Sequence, residues 1–157
     1  MTTLAESLMH HPLLKDLPTQ DLQLIASCGQ EKMFSAGDYL GRENQSADYF
    51  YLIQRGQVAI EIFFPGRGAL TLQTLRDGDI VGWSWLFPPY RWTFDVRAQT
   101  PVQVAALDGR CLRAKCAEDP RLGYALMQRF AAIMTSRLQA TRLQLVNLYN
   151  HQSGNTL

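Results

Sequence analysis

Residues 82–98 read GWSWLFPPYRWTFDVRA and contain every tryptophan of the chain, Trp83, Trp85 and Trp92. Arg91 is the only charge in the stretch before Asp95. Rings in such density can bind a flat or apolar molecule through stacking and area, with one charged group fixing its orientation. An arginine beside them can grip an anion through its planar fork. Two plainer outcomes compete. The rings of Trp83, Trp85, Phe87 and Trp92 can pack into a pocket of their own, and Asp95 can neutralise Arg91 as an ion pair. Neighbours on an extended chain point to opposite sides, so Arg91 and Trp92 cannot both face inward unless Pro88-Pro89 reroutes the loop.

Catalytic chemistry finds little support. No histidine lies between His11 and His151, so a histidine-rich metal site on the strands is excluded. No serine sits in a GxSxG elbow, and the acid pair Glu118-Asp119 falls at a solvated helix end. Cys28, Cys111 and Cys116 show no CxxC spacing and read as reduced, buried thiols of a cytosolic protein. We therefore expect no enzyme, no metal and no resident cofactor. Net charge is +1, which gives no electrostatic case for nucleic acid or an anionic membrane. The N-terminal MTTLAESLMHHPLLKDL carries acids and lacks a basic start and a long apolar run, so it is no signal peptide. A cytoplasmic protein without membrane association is the expectation.

The elements that must position this stretch follow from periodicity. Residues 1–29 predict two short helices, the second opened by Pro18 and Thr19 with Leu22, Ile25 and Ala26 at helical spacing. Residues 30–108 change to short β-rich runs cut by glycine. Phe34–Gly37 leads into Tyr39-Leu40. Tyr49–Gln54, Gln57–Phe64, Leu70–Leu75, Phe94–Gln99 and Val102–Ala106 follow, with Pro65-Gly66-Arg67-Gly68 as a hairpin turn and Gly78-Asp79 as another. Roughly eight strands without helical crossovers predict a mainly β fold, an antiparallel jelly roll with flanking helices. Residues 109–150 predict a short helix capped by Asp108 and a long one opened by Asp119-Pro120. Tyr124, Met127, Ala131, Met134, Leu138, Thr141, Leu145 and Leu148 recur along it at alternating three- and four-residue spacing. That seam predicts a parallel homodimer through residues 120–150, while Leu126, Phe130 and Ile133 on the neighbouring face read as packed within the protomer. The whole chain, 1–157, reads as one domain.

Helices, a glycine-punctuated jelly roll and a long C-terminal helix resemble the cyclic-nucleotide-binding domain of catabolite-activator and Fnr-type regulators, kinase regulatory subunits and gated channels. The residues carrying the likeness are Phe34-Ser35-Ala36-Gly37-Asp38, the hairpin Ala47–Ile53 with Arg55-Gly56-Gln57-Val58, the approach Leu75, Gly78-Asp79 and Gly82, the exit strand at Val96 and Ala98, and Arg137–Thr141. The resemblance implies a phosphate-binding cassette at Gly82, Trp83, Ser84, Trp85, Leu86, Arg91, Trp92 and Thr93. It also implies that Thr141 reaches a bound base across a dimer. In the family the cassette glycine is followed by a glutamate for the ribose, a small residue near the phosphate, and an arginine that pairs with the phosphate. Gly82 matches, but Trp83, Trp85 and Trp92 stand at the three chemical positions. Cyclic nucleotide binding in the usual way is therefore not expected. Arg91, a small anionic or aromatic ligand, and a ligandless adaptor that docks on a protein partner stay open as alternatives. No helix-turn-helix follows the long helix within these residues, so direct DNA binding is not expected.

Overall fold

The computed structural model describes residues 3–153, in which eight strands form two four-stranded antiparallel sheets. Two short helices come first, α1 (Leu4–Met9) and α2 (Thr19–Ala26). The strands are β1 (Gly29–Phe34), β2 (Tyr39–Gly41), β3 (Tyr49–Arg55), β4 (Val58–Phe64), β5 (Gly68–Leu75), β6 (Ile80–Val81), β7 (Asp95–Ala98) and β8 (Val102–Asp108). Then come α3 (Gly109–Glu118) and α4 (Pro120–Ser153). One sheet runs β1-β8-β3-β6 and the other β2-β7-β4-β5. The chain divides after Gly123 into two units, the second being the rest of α4.

Alternation explains the layers of the first unit. Tyr51 and Ile53 of β3 and Val104 and Ala106 of β8 face Val58, Val96 and Ala98 of the other sheet in one buried apolar cluster. Phe50 and Leu52 of β3, with Ala105 and Leu107 of β8, are equally buried on the opposite face of the same strands. Strands buried on both faces read as continuous apolar runs, as FYLI does here. Asp108 caps α3 by accepting from the N–H groups of Arg110 at 2.9 Å and Cys111 at 3.2 Å, as its sequence position predicts.

Two expectations need correction. The first strand lies earlier than Phe34–Gly37: β1 ends at Phe34, and Ser35–Asp38 turns, with the Asp38 carboxylate accepting from Ser35 N–H at 2.8 Å. β1 is an edge strand whose Gln30–Met33 are exposed, so it carries no apolar alternation to read. Cys28 and Cys111 are not reduced thiols; they form a disulfide that ties the end of α2 to the first turn of α3. Cys116 is the free thiol, and burial raises its pKa, which favours the inert protonated form. No helix among the described residues is long and apolar enough to cross a membrane.

Candidate functional site

The cassette begins where β6 ends. Gly82 has φ +94°, a conformation that side-chain-bearing residues rarely adopt, and it turns the chain across the edge of the first sheet. A one-turn 3-10 helix, Ser84–Leu86, follows, then a cis peptide between Pro88 and Pro89.

The tryptophans do not gather in one place. Trp85 is fully buried and stacks on Phe50, with centroids 4.5 Å apart and planes 11° from parallel. Trp92 is buried between the sheets, in the same core as Tyr51, and lies nearly parallel to that ring at 6.5 Å. Phe50 and Tyr51 are neighbours on β3 and point to opposite faces, so the two indoles sit on opposite sides of one sheet. Trp83, Ser84 and Leu86 are half-buried, Thr93 is exposed, and Phe87 is 54% exposed, so the shared pocket of Trp83, Trp85, Phe87 and Trp92 that the sequence left open does not include Phe87.

The space above the cassette glycine belongs to Trp92. A Cβ on Gly82 would lie 2.8 Å from Trp92 Cη2, and one on Gly41 would lie 2.5 Å from Trp92 Cδ2. Both approaches are closer than carbon atoms tolerate, so two glycines are the floor on which this indole rests. Backbone pairing aims it. Trp92 N–H donates to Gln45 O at 2.9 Å, Asn44 N–H to Trp92 O at 2.9 Å and Ala47 N–H to Tyr90 O at 2.7 Å. In that extended pairing Trp92 faces in and Arg91 faces out. Arg91 is exposed and donates from Nη1 to Asn44 O at 2.6 Å. Asp95 does not pair with it as the sequence allowed; its carboxylate accepts from Glu43 N–H at 2.8 Å.

Sequence reasoning missed the groups that fasten this arrangement. Arg113 of α3 donates from Nη1 to the Trp85 carbonyl, and its guanidinium lies 4.0 Å from the centre of the Tyr90 ring. Gly109 lets α3 approach, since a Cβ there would be 2.8 Å from that of Trp85. At the start of α4, Arg121 forms a two-pronged pair with Asp21 of α2, at 2.9 and 2.7 Å. This hydrogen bonding holds the Asp21 carboxyl below its usual range. The pairing spans 100 residues, and no local pattern announces it. Buried Glu61 of β4 is likewise held by Arg97 of β7, Nε to Oε1 at 2.8 Å and Nη2 to Oε2 at 2.9 Å.

In the second unit, α4 leaves Met127, Leu138, Leu145 and Leu148 exposed, with Ala131 exposed and Met134 half-buried. Leu126 and Phe130 are buried. Thr141 is exposed, and its hydroxyl donates to Arg137 O of its own helix at 2.9 Å.

Two antiparallel sheets, a glycine turn into a one-turn helix, and a closing helix α3 define a jelly-roll domain built around a cassette loop. Its family follows from comparison: a family model described as the cyclic nucleotide-binding domain matches residues 31–119, and the chain belongs to that family. A protein from Geobacter metallireducens GS-15, named for cyclic nucleotide binding, shares 32% identity, with 85% of this chain and 97% of that chain covered at a TM-score of 0.76. A cyclic nucleotide-binding domain from Methylobacillus flagellatus KT shares the fold at 21% identity, TM-score 0.77, covering 92% of this chain and 82% of that chain. The catabolite activator protein of Thermus thermophilus does so at 22% identity, TM-score 0.69, covering 88% and 63%. A comparison with curated proteins returned no match.

Proposed function

We propose that the chain is a non-enzymatic regulatory module, homodimeric through α4, whose cassette does not take a cyclic nucleotide in the usual way. One observation carries this reading: the Trp92 indole stands where the family resemblance puts the phosphate-pairing arginine, and it fills the space over Gly41 and Gly82. Losing a charge-assisted contact costs about 1.5–3 kcal/mol, roughly one to two decades of affinity, before any steric exclusion by the ring. Arg91 does not substitute, because it faces outward and already serves Asn44. The ring faces of Trp85 and Trp92 are likewise turned to Phe50 and Tyr51 of the protein itself. Equilibrium dialysis against labelled cAMP and cGMP tests the reading. Retention that saturates below about 1 mM, a binding energy near 4 kcal/mol, refutes it.

The tip of the β4–β5 hairpin supports protein docking as the module's mode of action. Phe63, Phe64, Leu70 and Leu72 are exposed there by 60, 44, 52 and 39%. By the strand register Phe64 and Leu70 share one face of the hairpin and Phe63 lies on the other, and exposed apolar patches mark contact sites. Phe64→Ser with Leu70→Ser, on one face of the hairpin, should raise solubility without lowering the unfolding midpoint if this tip waits for a partner.

A further inference from the structure

The Cys28–Cys111 disulfide is not sealed in the core. Both cysteines line a cleft of about 240 Å³ with Ser27, Gln30, Tyr49 and Asp108, and Gly29 and Ala106 complete it. Cys28 is buried and Cys111 is half-buried, so Cys111 is the half of the bond that solvent reaches more readily. Asp108 is the one charged residue lining the cleft, and its Oδ1 is occupied by the N–H groups of Arg110 and Cys111. Disulfides open by thiolate attack, and access is a main determinant of which ones do so.

The bond is one of two fastenings on α3. Cys111 ties the first turn of the helix to the residue that follows the cap of α2. Gly109 and Arg113 hold the cassette loop, the first by its close approach to Trp85, the second by donating to the Trp85 carbonyl and covering the Tyr90 ring. At 3.6 residues per turn, Gly109 and Arg113 each lie about 160° around the helix from Cys111. The helix is therefore clamped on opposite faces, by the disulfide and by the loop. Main-chain pairing keeps the two cysteines adjacent without the bond. Asp108 N–H donates to Cys28 O at 2.8 Å, and Gly29 pairs with Leu107 in the β1–β8 ladder. A reduced pair is thus held ready to close again. Cys116 lies about 140° around α3 from Cys111, away from Cys28, so it does not compete for that partner.

We propose that the Cys28–Cys111 bond is a modification site for a dithiol reductant, and that opening it loosens α3 and with it the cassette loop. One thiolate of the reductant attacks Cys111 Sγ. The bond to Cys28 breaks, and Cys28 Sγ leaves with the electron pair and takes a proton. The reductant's second thiolate then attacks its own sulfur in the mixed disulfide and releases Cys111 Sγ, which takes the second proton. The chain gains two electrons and two protons, and the reductant departs as a disulfide. With one face of α3 released, the helix can settle in a second position, and the loop follows through Gly109 and Arg113. This grip is independent of whether the cassette takes a nucleotide.

The test is hydrogen–deuterium exchange at single amides of the full chain, oxidised and after reduction by dithiothreitol. The reporters are the N–H groups of Leu86 and Tyr90, which donate within the loop to Trp83 O and Phe87 O at 3.0 and 2.9 Å. Labelling is brief, so amides that open only with the whole fold exchange in neither form. Reduction is expected to speed exchange at both reporters about tenfold, the worth of one charge-assisted hydrogen bond, while β3 and β8 stay protected. The rate of reduction itself is expected to be unchanged by low urea, as it is when the reductant reaches the bond in the folded chain. Arg113→Ala is expected to speed the reporters in the oxidised protein and to leave little further gain on reduction. Cys28→Ser with Cys111→Ser should reproduce the reduced protein, and should that variant fail to fold, the reduced parent chain still decides. Unchanged reporters on reduction, an equal rise in β3 and β8, a reduction rate that climbs with urea, or an undiminished gain in Arg113→Ala overturns the proposal. Nucleotide binding enters none of these readouts, so they leave the reading of the cassette untouched.

Discussion

Placing a methyl group under Trp92 should reveal whether that ring fills the cassette. Gly41 is the cleaner probe, because its φ is not positive and the three atoms nearest a Cβ there all belong to the indole, with Cδ2 at 2.5 Å. Gly41→Ala should cost about 1–3 kcal/mol, the usual range for overpacking a filled core. Trp92→Ala should cost about 3–5 kcal/mol, because it empties a buried aromatic site. The double variant should regain most of the Gly41→Ala penalty, giving a coupling of about 1–3 kcal/mol between residues in contact. Gly82→Ala should be rescued only in part, because its φ of +94° strains any side chain whether or not Trp92 is there. Urea unfolding followed by far-ultraviolet circular dichroism measures the parent and every variant without relying on the tryptophan being removed. Equal cost for Gly41→Ala with and without Trp92, within about 0.5 kcal/mol, would refute the packing argument.

Other expectations follow from the fastenings. Reducing the disulfide, or replacing Cys28 and Cys111 by serine, opens a link across 83 residues; chain entropy gives about 4.5 kcal/mol of lost stability, measured as a drop in urea midpoint. His11 has its folded pKa near 4, below the ordinary 6.5, so its neutral form stabilises the fold fully above pH 6.5. That contribution is lost as pH falls from 6.5 to 4 and amounts to about 3 kcal/mol, and His11→Gln should flatten this part of the stability profile. Leu138→Glu with Leu145→Glu on α4 should shift the mass seen by light scattering from dimer to monomer at micromolar concentration, and an unchanged mass would place the dimer seam elsewhere.

Much of this was legible in the residues because local rules suffice for it. Asp108 caps α3, glycine and proline punctuate the strands, and FYLI announces a strand buried on both faces. The alternation of Arg91 and Trp92 already implied that only one of them faces inward, and the backbone pairing with Asn44–Ala47 selects Trp92. What was illegible depends on which side of a sheet a loop crosses. Trp85 and Trp92 sit seven positions apart in one aromatic run, yet β3 separates them, Phe50 holding one and Tyr51 the other. The Cys28–Cys111 and Asp21–Arg121 pairs join distant segments through no spacing rule. β1 was misplaced because an exposed edge strand of Gln30, Glu31, Lys32 and Met33 buries nothing that could signal it.

The most direct measurement uses the cassette's own reporters. All three tryptophans lie in it, so selectively excited tryptophan fluorescence follows it while cAMP, then cGMP, is titrated to millimolar concentration with AMP as the control. A nucleotide seated in the cassette must displace the Trp92 indole from above Gly41 and Gly82 and so alter its emission. A response no different from that to AMP is predicted, in the parent chain and in Arg91→Ala alike. A saturable change specific to a cyclic nucleotide and lost in Arg91→Ala would contradict the account and give the phosphate to Arg91.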